Sequence, residues 1–301
     1  MARTTLFIRL APILFVMIWS TGFIAAKYSM ENADPFVFLC LRFSIAAAVL
    51  LPLLLLFKFR LSTNLWQYRH DWVTGALLHA GYLGFVFWPI KSGVPSGIVA
   101  IIVGIQPIIT TVLSSLYIGE SLEPRKLAGL LIGFFGVNVV IIGKYGIGLG
   151  SGGGLESFEL GLCVLSLLSI SVGVFYQKKF CHRSQLLPGT FMQYVAASIV
   201  SALFALVAGE AWRIDWTPTF AIALSWQVLG LSIGAIVLLM LIIQRGEAGR
   251  ASSMFYLVSP LVVLEAHFLF GETLGMVSLI GMVMCVLGVY FVNRQARMPS
   301  A

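Results

Sequence analysis

Charged residues are scarce in this chain. They make up 10% of its 301 residues, whereas soluble globular domains contain about 25%. Hydrophobic residues make up 59%, which leaves too few polar side chains to cover a water-exposed surface. Because a backbone in lipid must satisfy its own hydrogen bonds, long apolar segments of this kind form helices. The composition therefore excludes a soluble protein and predicts an all-α membrane protein.

Cysteine and aspartate are also rare. The four cysteines show no CxxC spacing, so the sequence predicts neither a disulfide framework nor a metal site. Asp34, Asp71 and Asp215 lie far apart near predicted helix ends, so the Asp-rich clusters with which intramembrane prenyltransferases hold Mg²⁺ are missing. No apolar run contains the Gly-x-Ser-Gly motif of a rhomboid-type protease. We predict that the protein is not an enzyme and uses no cofactor.

What the chain has in abundance is apolar runs long enough for a helix that crosses a hydrocarbon core of about 30 Å. The first run follows Arg3 and Arg9 without a cleavage motif, so we expect it to be kept as a helix. Ten such runs are predicted, at residues 10–28, 35–57, 72–90, 96–116, 125–143, 158–177, 188–208, 219–243, 252–270 and 274–293.

The distribution of Lys and Arg predicts the orientation in the membrane. If the amino terminus is cytoplasmic, the inner segments hold fourteen of the nineteen basic residues. The outer segments hold Lys27, Lys91, Lys144 and Arg213, and Arg42 falls within a span. This bias predicts a multi-pass protein of the inner (plasma) membrane with both termini in the cytoplasm. The net charge of +7 then reflects contact with anionic inner-leaflet lipid, and we expect no nucleic-acid partner.

The two halves of the chain repeat each other. The segment GESLEPRKLAGLLIGFFGVNVV, which begins at Gly119, is echoed by GETLGMVSLIGMVMCVLGVYFV, which begins at Gly271, a shift of 152 residues. Each half contains five predicted spans, an odd number, so equivalent spans cross the membrane in opposite directions. We predict a ten-helix, 5+5 inverted-topology repeat, with a first five-helix repeat at 10–143, a glycine-rich linker at 144–157 and a second repeat at 158–293.

Prolines recur at matching depth in the two halves. Pro107 and Pro260 each lie about 12 to 17 Å into an apolar run by the helical rise, close to the midplane. Each removes a backbone hydrogen bond and favours a helix kink. Interrupted helices at matching positions of an inverted repeat frame the substrate site in secondary transporters. Kinks that serve packing alone remain the alternative.

Four segments carry a resemblance to a known family: WSTGFIAAK at 19–27, DPFVFLCLRF at 34–43, PSGIVAIIVGIQPIITTVLSSLYIGESL at 95–122 and FYLVSPLVVLEAHFLFGETL at 255–274. They resemble the EamA-type permeases of the drug/metabolite transporter superfamily. The resemblance implies a carrier in the lipid bilayer that usually exports amino acids, related metabolites or small drugs. It also implies that spans one, three, four, six, eight and nine line a central cavity and that the two halves move around it by alternating access.

Basic residues are missing from the span interiors of the second half, and Arg42 alone is available in the first. Family members that carry phosphorylated sugars are expected to meet the phosphate with Lys or Arg in the cavity. We therefore expect a small-molecule substrate that is a neutral or zwitterionic metabolite, such as an amino acid, or a small drug. A membrane channel or a non-transport membrane component remains the alternative.

Polar and aromatic side chains on shared helix faces give the candidate site. His79 and Tyr82 share a face of the third predicted span, and Tyr256, Pro260 and His267 form a stripe on the ninth. A histidine there contacts substrate or carries a proton, unless it is a neutral imidazole bonded to a neighbouring helix. The predicted substrate-binding residues are Trp19, His79, Tyr82, Gln106, Tyr176, Tyr256 and His267.

Two further predictions concern charge and packing. Arg42 and Glu265 are predicted at nearly the same depth, which makes them candidates for an ion pair, and Glu265 also for a proton site.

Glycine rows in the fifth and tenth spans predict close helix packing, either as a scaffold within the carrier or as the contact of a homodimer. These rows contain Gly129, Gly133, Gly136, Gly281 and Gly288.

Overall fold

The computed structural model describes residues 2–59, 61–62, 64–94, 99, 102–120, 122–145, 157–182, 184–238, 256–258, 260–262, 264–265, 267–268 and 275–293. At 2–10, 23–24, 27 and 144–145 it describes the backbone alone. The regular structure within these ranges is entirely helical, which confirms the all-α prediction. The central part of the predicted glycine-rich linker, 146–156, lies outside the described residues.

α-Helices account for most of the described residues. They are α1 (Ala2–Met30), α2 (Pro35–Leu56), α3 (Arg69–Gly75), α4 (Tyr82–Lys91), α5 (Gln106–Ile118), α6 (Pro124–Tyr145), α7 (Ser157–Phe180), α8 (Leu186–Val207), α9 (Pro218–Trp226) and α10 (Met276–Asn293). A 3₁₀ turn, Leu65–Tyr68, precedes α3. Described residues between 256 and 268 are also helical.

Six helical stretches among the described residues are long and apolar enough to cross a membrane: Pro35–Leu56, Leu65–Lys91, Pro124–Gly143, Ser157–Phe180, Leu186–Val207 and Pro218–Leu238. Shorter apolar helices lie at Ala11–Gly22, Gln106–Ile118 and Met276–Val292. Each of these stretches overlaps one of the predicted apolar runs. The membrane-protein class is thereby confirmed, and the total of ten spans stays a prediction.

Two spans contain π-helical segments at related positions. The first, Ala76–Gly81, joins α3 to α4, and the second, Gln227–Ala235, follows α9. The shift of 152 residues that relates the sequence repeats carries Ala76 onto Val228, inside the second segment. Because π-helical turns are rare and occur often at functional sites, their recurrence at equivalent positions marks both spans as candidates for the site.

Pro107 begins a helix instead of kinking one. Gly104 and Ile105 form a turn after the helical residues at 102–103, and α5 starts at Gln106 with Pro107 in its first turn. Proline is well suited to this position, because the first N–H groups of a helix have no partner within it. The predicted kink at Pro107 is therefore corrected to a helix interruption. Pro260 is buried and helical, but the adjacent residue 259 lies outside the described residues.

Helix α2 is capped by a residue from the second half of the chain. Its N-cap residue, Asp34, makes no side-chain capping bond. Instead, the backbone N–H groups of Phe36 and Val37 donate to Glu210 Oε1 at 3.1 Å and Oε2 at 2.8 Å. A carboxylate at a helix amino terminus satisfies free N–H groups and interacts favourably with the helix dipole. Glu210, in the α8–α9 connection, therefore ties the start of α2 to the second half.

Helices α6 and α10 approach each other at their glycines. A Cβ atom added to Gly281 would lie 2.4 Å from the Val140 nitrogen, and one added to Gly288 would lie 2.5 Å from the Gly133 nitrogen. Backbones this close leave no room for a side chain. The predicted glycine rows pack against each other within the chain, and the homodimer stays a prediction.

Asp34 and Asp71 lie at opposite ends of the helical bundle, which are called the Asp34 end and the Asp71 end. At the Asp34 end, the α1–α2 connection contacts the end of α4 and the α8–α9 connection. At the Asp71 end, the start of α3 contacts the α7–α8 connection, and the α5–α6 connection contacts α7. The Lys and Arg distribution predicts that the Asp34 end faces outward and the Asp71 end faces the cytoplasm.

Candidate functional site

A cavity of about 570 Å³ lies between the helices. Small-molecule sites typically measure about 300–1,000 Å³. Helices α1 to α8 and both π-helical segments contribute to its wall, which is mostly apolar with convergent polar groups. The cavity runs from Arg42 and Gln227 in the interior to the exposed residues His182 and Gln185 at the Asp71 end. It is therefore open at that end.

Arg42 lies in the interior part of the cavity, away from its open end, and is only 7% exposed. Its Nε donates a hydrogen bond to Ser232 Oγ over 3.0 Å, and its Nη1 donates to Gln227 Oε1 over 2.9 Å. Its Cζ lies 5.3 Å from the centroid of the Phe43 ring, a distance at which the ring attracts the cation. These partners are all uncharged. The guanidinium is thus held in place by groups that do not neutralise it.

Aromatic rings pack beside the guanidinium. The ring centroids of Phe43 and His79 are 5.3 Å apart, those of Phe43 and Tyr194 are 5.4 Å apart, and those of His79 and Tyr194 are 5.1 Å apart. Ring pairs at these separations attract each other beyond the effect of burial alone. The Tyr194 hydroxyl also donates to the Ser232 carbonyl oxygen. The rings and this bond fix the wall on which Arg42 lies.

The open end of the cavity carries both signs of charge. The Asp71 carboxylate accepts hydrogen bonds from Ser184 Oγ at 2.8 Å and from Gln193 Nε2 at 3.3 Å. Lys178 of α7 forms an ion pair with Glu120 of the α5–α6 connection. Within the described part of the chain, no three His, Cys, Asp or Glu residues are grouped so that they could hold a metal ion.

The Asp34 end is closed by a network that joins the two halves of the chain. Lys91 forms an ion pair with Asp34 and donates to the Ala33 carbonyl oxygen at 3.1 Å. The Ala211 N–H donates to Asp34 Oδ2 at 3.1 Å. With Glu210 bound to the start of α2, these contacts join the described helix connections at the end opposite to the cavity mouth, and none of these residues lines the cavity.

Burial raises the pKa of Glu210 above its ordinary value of 4.5. Desolvation is the largest cause, the nearby Asp34 adds to it, and the N–H groups of Val37 and Phe36 together with Lys91 act in the opposite direction. Since the folded pKa is the higher one, the folded state binds more protons than the unfolded state above pH 4.5. The contribution of Glu210 to stability is therefore full below pH 4.5 and falls as the pH rises through the folded pKa.

A Glu210→Gln variant tests this sign, because the amide keeps an oxygen acceptor for the α2 amides but does not titrate. We expect the melting temperature of the variant, measured relative to the wild type, to increase as the pH is raised from 4.5 to 7. Comparing the two proteins at each pH cancels the titration of other groups. A difference that is constant over this range would contradict the raised pKa.

The structure brings five of the predicted site residues together around the cavity, and they are Trp19, Arg42, His79, Tyr82 and Gln106. Gln106 lies on the cavity wall and donates to Thr110 Oγ1, one turn later in α5, at 2.9 Å. Spans one, three, four, six and eight contribute to the wall as the family resemblance implied. No described residue of the ninth span lines the cavity. The second, fifth and seventh spans, which correspond to α2, α6 and α8, line it as well.

Three predicted substrate-binding residues lie elsewhere. The Tyr176 hydroxyl is 2.7 Å from His70 Nδ1, near the Asp71 end but off the cavity wall. Tyr256 is buried against α6, where its ring fills the space left by Gly133. The His267 ring packs edge-on against Phe268 with centroids 5.2 Å apart. A helical stripe identifies which residues share a face but not which neighbour that face meets. The substrate-binding roles of these three residues stay predictions.

Arg42 and Glu265 do not contact each other. Ser20 of α1 donates to Glu265 Oε1 at 2.5 Å, whereas Arg42 binds Gln227 and Ser232. The predicted ion pair is therefore replaced by hydrogen bonds to neutral partners. The second carboxylate oxygen of Glu265 is buried without a hydrogen bond, and a role as a proton site stays a prediction.

Four polar residues deep in the spans were among those on the cavity wall that the sequence prediction missed. They are Gln193 and Tyr194 of α8 and Gln227 and Ser232 of the second π-helical segment. Buried amides are expensive to place inside a membrane span unless they have partners. An amide in an otherwise apolar run was therefore the signal that could have identified Gln193 and Gln227.

Comparisons with known proteins give a family and a shared fold. The family model of the EamA-like transporter family matches residues 6–142 and again residues 157–294. A solved crystal structure superposes with a TM-score of 0.74 over 94% of this chain and 96% of that one, at 19% sequence identity, which shows a shared fold.

Several relatives are similar over nearly their whole length. The uncharacterized transporter YvbV of Bacillus subtilis is 25% identical over 95% of this chain and 91% of its own. The uncharacterized inner membrane transporter YedA of Escherichia coli is 28% identical over 92% and 87%. A "Probable amino-acid metabolite efflux pump" of Salmonella typhimurium is 26% identical over 96% and 97%.

Proposed function

The chain belongs to the EamA-like transporter family, and on that premise we propose that it is a secondary carrier that exports a small metabolite by alternating access. The proposed solutes are neutral or zwitterionic, such as an amino acid or a related compound, or small drugs. The relative named as an amino-acid metabolite efflux pump supports the first of these classes. The protein is a membrane transporter by family, and the family is one of transporters rather than enzymes.

One observation carries the mechanism, which is that the cavity is open at the Asp71 end and sealed at the Asp34 end. Hydrogen bonds between the α1–α2 and α8–α9 connections close one end, while the cavity reaches exposed residues at the other. Such an arrangement corresponds to one of the two states that an alternating-access carrier must visit. Breaking the Asp34 network while the Asp71 end closes would give the other state. A conducting channel, by contrast, needs both ends open at once.

We propose the following arrangement in the membrane. The chain forms ten spans in two five-helix repeats of inverted topology, 10–143 and 158–293, joined by the linker at 144–157. Support comes from the two separate matches to the family model and from the π-helical segments at positions related by the repeat. Both termini are cytoplasmic and the membrane is the inner membrane, as the Lys and Arg distribution and the relative YedA favour. The structure then represents the inward-facing state.

A pair of neighbouring substitutions on α5 tests the function. Thr111 lines the cavity, whereas Val112 points away from it and is 37% exposed. We expect Thr111→Trp to fill part of the cavity and to abolish export, and Val112→Trp to leave it unchanged. The measurement is a metabolite profile of medium and cytosol from cells that overexpress the wild type or either variant.

The result is interpretable only if the two variants reach the membrane in equal amounts, which immunoblotting of membrane fractions checks. If overexpression of the wild type moves no solute between compartments, the transport function is wrong. If Thr111→Trp exports the same solutes as Val112→Trp at the same rate, the cavity is not the substrate path.

A further inference from the structure

The cavity contains a buried positive charge, Arg42, that has no negative partner among the described residues. The ion pairs among the described residues join Lys91 to Asp34, Lys178 to Glu120 and Arg213 to Asp215, and they do not involve Arg42. An uncompensated charge in the interior of a membrane protein is unfavourable and marks a functional site. The neutral contacts of Arg42 keep it in position but leave its charge available.

The guanidinium also has unused hydrogen-bonding capacity. It carries five N–H donors, and two of them are used by Ser232 and Gln227. The others, including both on Nη2, have no acceptor among the described residues, although Arg42 lies on the cavity wall. The planar guanidinium matches a carboxylate, which accepts two parallel hydrogen bonds. Phe43 and Ser232 fix its orientation before a ligand arrives.

The rest of the cavity restricts what else the ligand can carry. Leu78, Leu83, Val86, Leu231 and Ile236 form apolar parts of the same cavity wall, so an apolar or aromatic body fits there. The other cations that line the cavity, Lys126 and Lys178, belong to the Asp71 end, and Lys178 is already paired with Glu120. A single guanidinium balances a monoanion and leaves a phosphate dianion only half neutralised.

We propose that Arg42 is the binding site for the carboxylate of the substrate, and that the substrate class is a small carboxylate with an apolar body. This inference rests on the proposed transport function. It narrows the solutes to those with a carboxylate and excludes apolar amines and phosphate monoesters as the main cargo. An amino acid and a simple carboxylic acid share the chemistry that Arg42 recognises, and an added ammonium group distinguishes the two.

The test compares carboxylates with their amides. Purified full-length protein is titrated with leucine, phenylalanine, phenylacetate and N-acetylphenylalanine, with the amide of each, and with benzyl phosphate, and binding is followed by the rise in melting temperature. Because a hydrogen-bonded charge is worth more than a neutral contact, we expect a carboxylate to bind about 10- to 100-fold more tightly than its amide. Preference between phenylalanine and its N-acetyl derivative shows whether the ligand also needs an ammonium group.

Three variants connect the preference to Arg42. Arg42→Gln should remove the preference for a carboxylate over its amide. Arg42→Lys should keep the positive charge but lose most of the affinity, because an ammonium group cannot donate two parallel hydrogen bonds to one carboxylate. Arg213→Gln should behave like the wild type. Arg213 is the matched control because its side chain is 85% exposed and lies outside the cavity. The melting temperature without ligand shows whether each variant is folded. If Arg42→Gln does not fold, the loss of carboxylate affinity is measured on Arg42→Lys instead.

The outcomes separate the two proposals. If no carboxylate binds more tightly than its amide, or if the preference survives in Arg42→Lys and Arg42→Gln unchanged, the carboxylate site is wrong even when the protein exports solutes. Tighter binding of benzyl phosphate than of the carboxylates also overturns it. Failure of the wild type to move any solute in cells overturns the transport function instead.

Discussion

Gly281→Leu is expected to prevent the second half of the protein from packing stably against the first. A side chain at this position would begin 2.4 Å from the Val140 nitrogen and 2.7 Å from the Gly136 carbonyl oxygen. Both are backbone atoms in the middle of α6, so relief requires moving a whole helix. Overpacking usually costs about 1–3 kcal/mol where side chains can adjust. Because no side chain can move aside here, we expect a loss at or above the upper end of that range.

Gly161→Leu on α7 is the matched control, since a Cβ atom added there meets nothing within 4 Å. Both variants place the same apolar side chain in a predicted membrane span, so differences in hydrophobicity cancel. The measurement is the melting temperature in detergent together with the amount of folded protein recovered from membranes. Equal stability of the two variants would mean that α6 and α10 do not approach each other as the structure shows.

Asp34→Ala is expected to release the closed end of the carrier. Asp34 accepts a hydrogen bond from the Ala211 N–H and forms the ion pair with Lys91, so its loss removes contacts that join the α1–α2 connection to the α8–α9 connection and to the end of α4. Hydrogen bonds to charged groups contribute about 1.5–3 kcal/mol each, and a shift of about 1.4 kcal/mol changes the ratio of two states tenfold. We expect at least a tenfold increase in the population that is open at the Asp34 end.

An engineered cysteine reports this opening. Ala33 is 5% exposed and lies beside Asp34, so Ala33→Cys should react slowly with a membrane-impermeant maleimide applied to intact cells. Adding Asp34→Ala should accelerate the labelling about tenfold, in proportion to the increase in the open population. Asp215→Ala is the control and should not change the labelling rate. The Asp215 side chain lies at the same end, is 65% exposed and, among the described residues, contacts only Arg213. A rate that is unaffected by Asp34→Ala would show that this network does not hold the end closed.

Local sequence patterns predicted the helices well because each helix depends mainly on its own apolar run and its own terminal residues. Pro35 and Pro218 stand in the first turns of α2 and α9, and the Gly119 backbone adopts φ of +77° at the end of α5, where glycine is favoured. Arg42 was identified as the one basic residue within a span for the same reason, since its cost in a membrane is visible in the sequence alone.

The partners of these residues could not be predicted in the same way. The cap of α2 is provided by Glu210, 174 residues after Phe36, and no local pattern relates the two. Tyr256 shares a stripe with Pro260, which favoured the substrate path, but the space left by Gly133 determined where its ring lies. Which face of a helix meets a cavity depends on the arrangement of all the helices around it, and that arrangement is not contained in the periodicity of any one run.

The hydrogen bonds of Arg42 also set an order of events during biosynthesis. Gln227 lies 185 residues after Arg42. At roughly 5 to 20 residues per second, the ribosome needs about 10 to 40 s to add the chain between them. Throughout that interval α2 must be inserted with a guanidinium whose permanent neighbours do not yet exist. Release of α2 into the bilayer should therefore wait until the eighth predicted span emerges. The first half of the protein then depends on the second for the hydrogen bonds of Arg42 and does not insert as an independent unit.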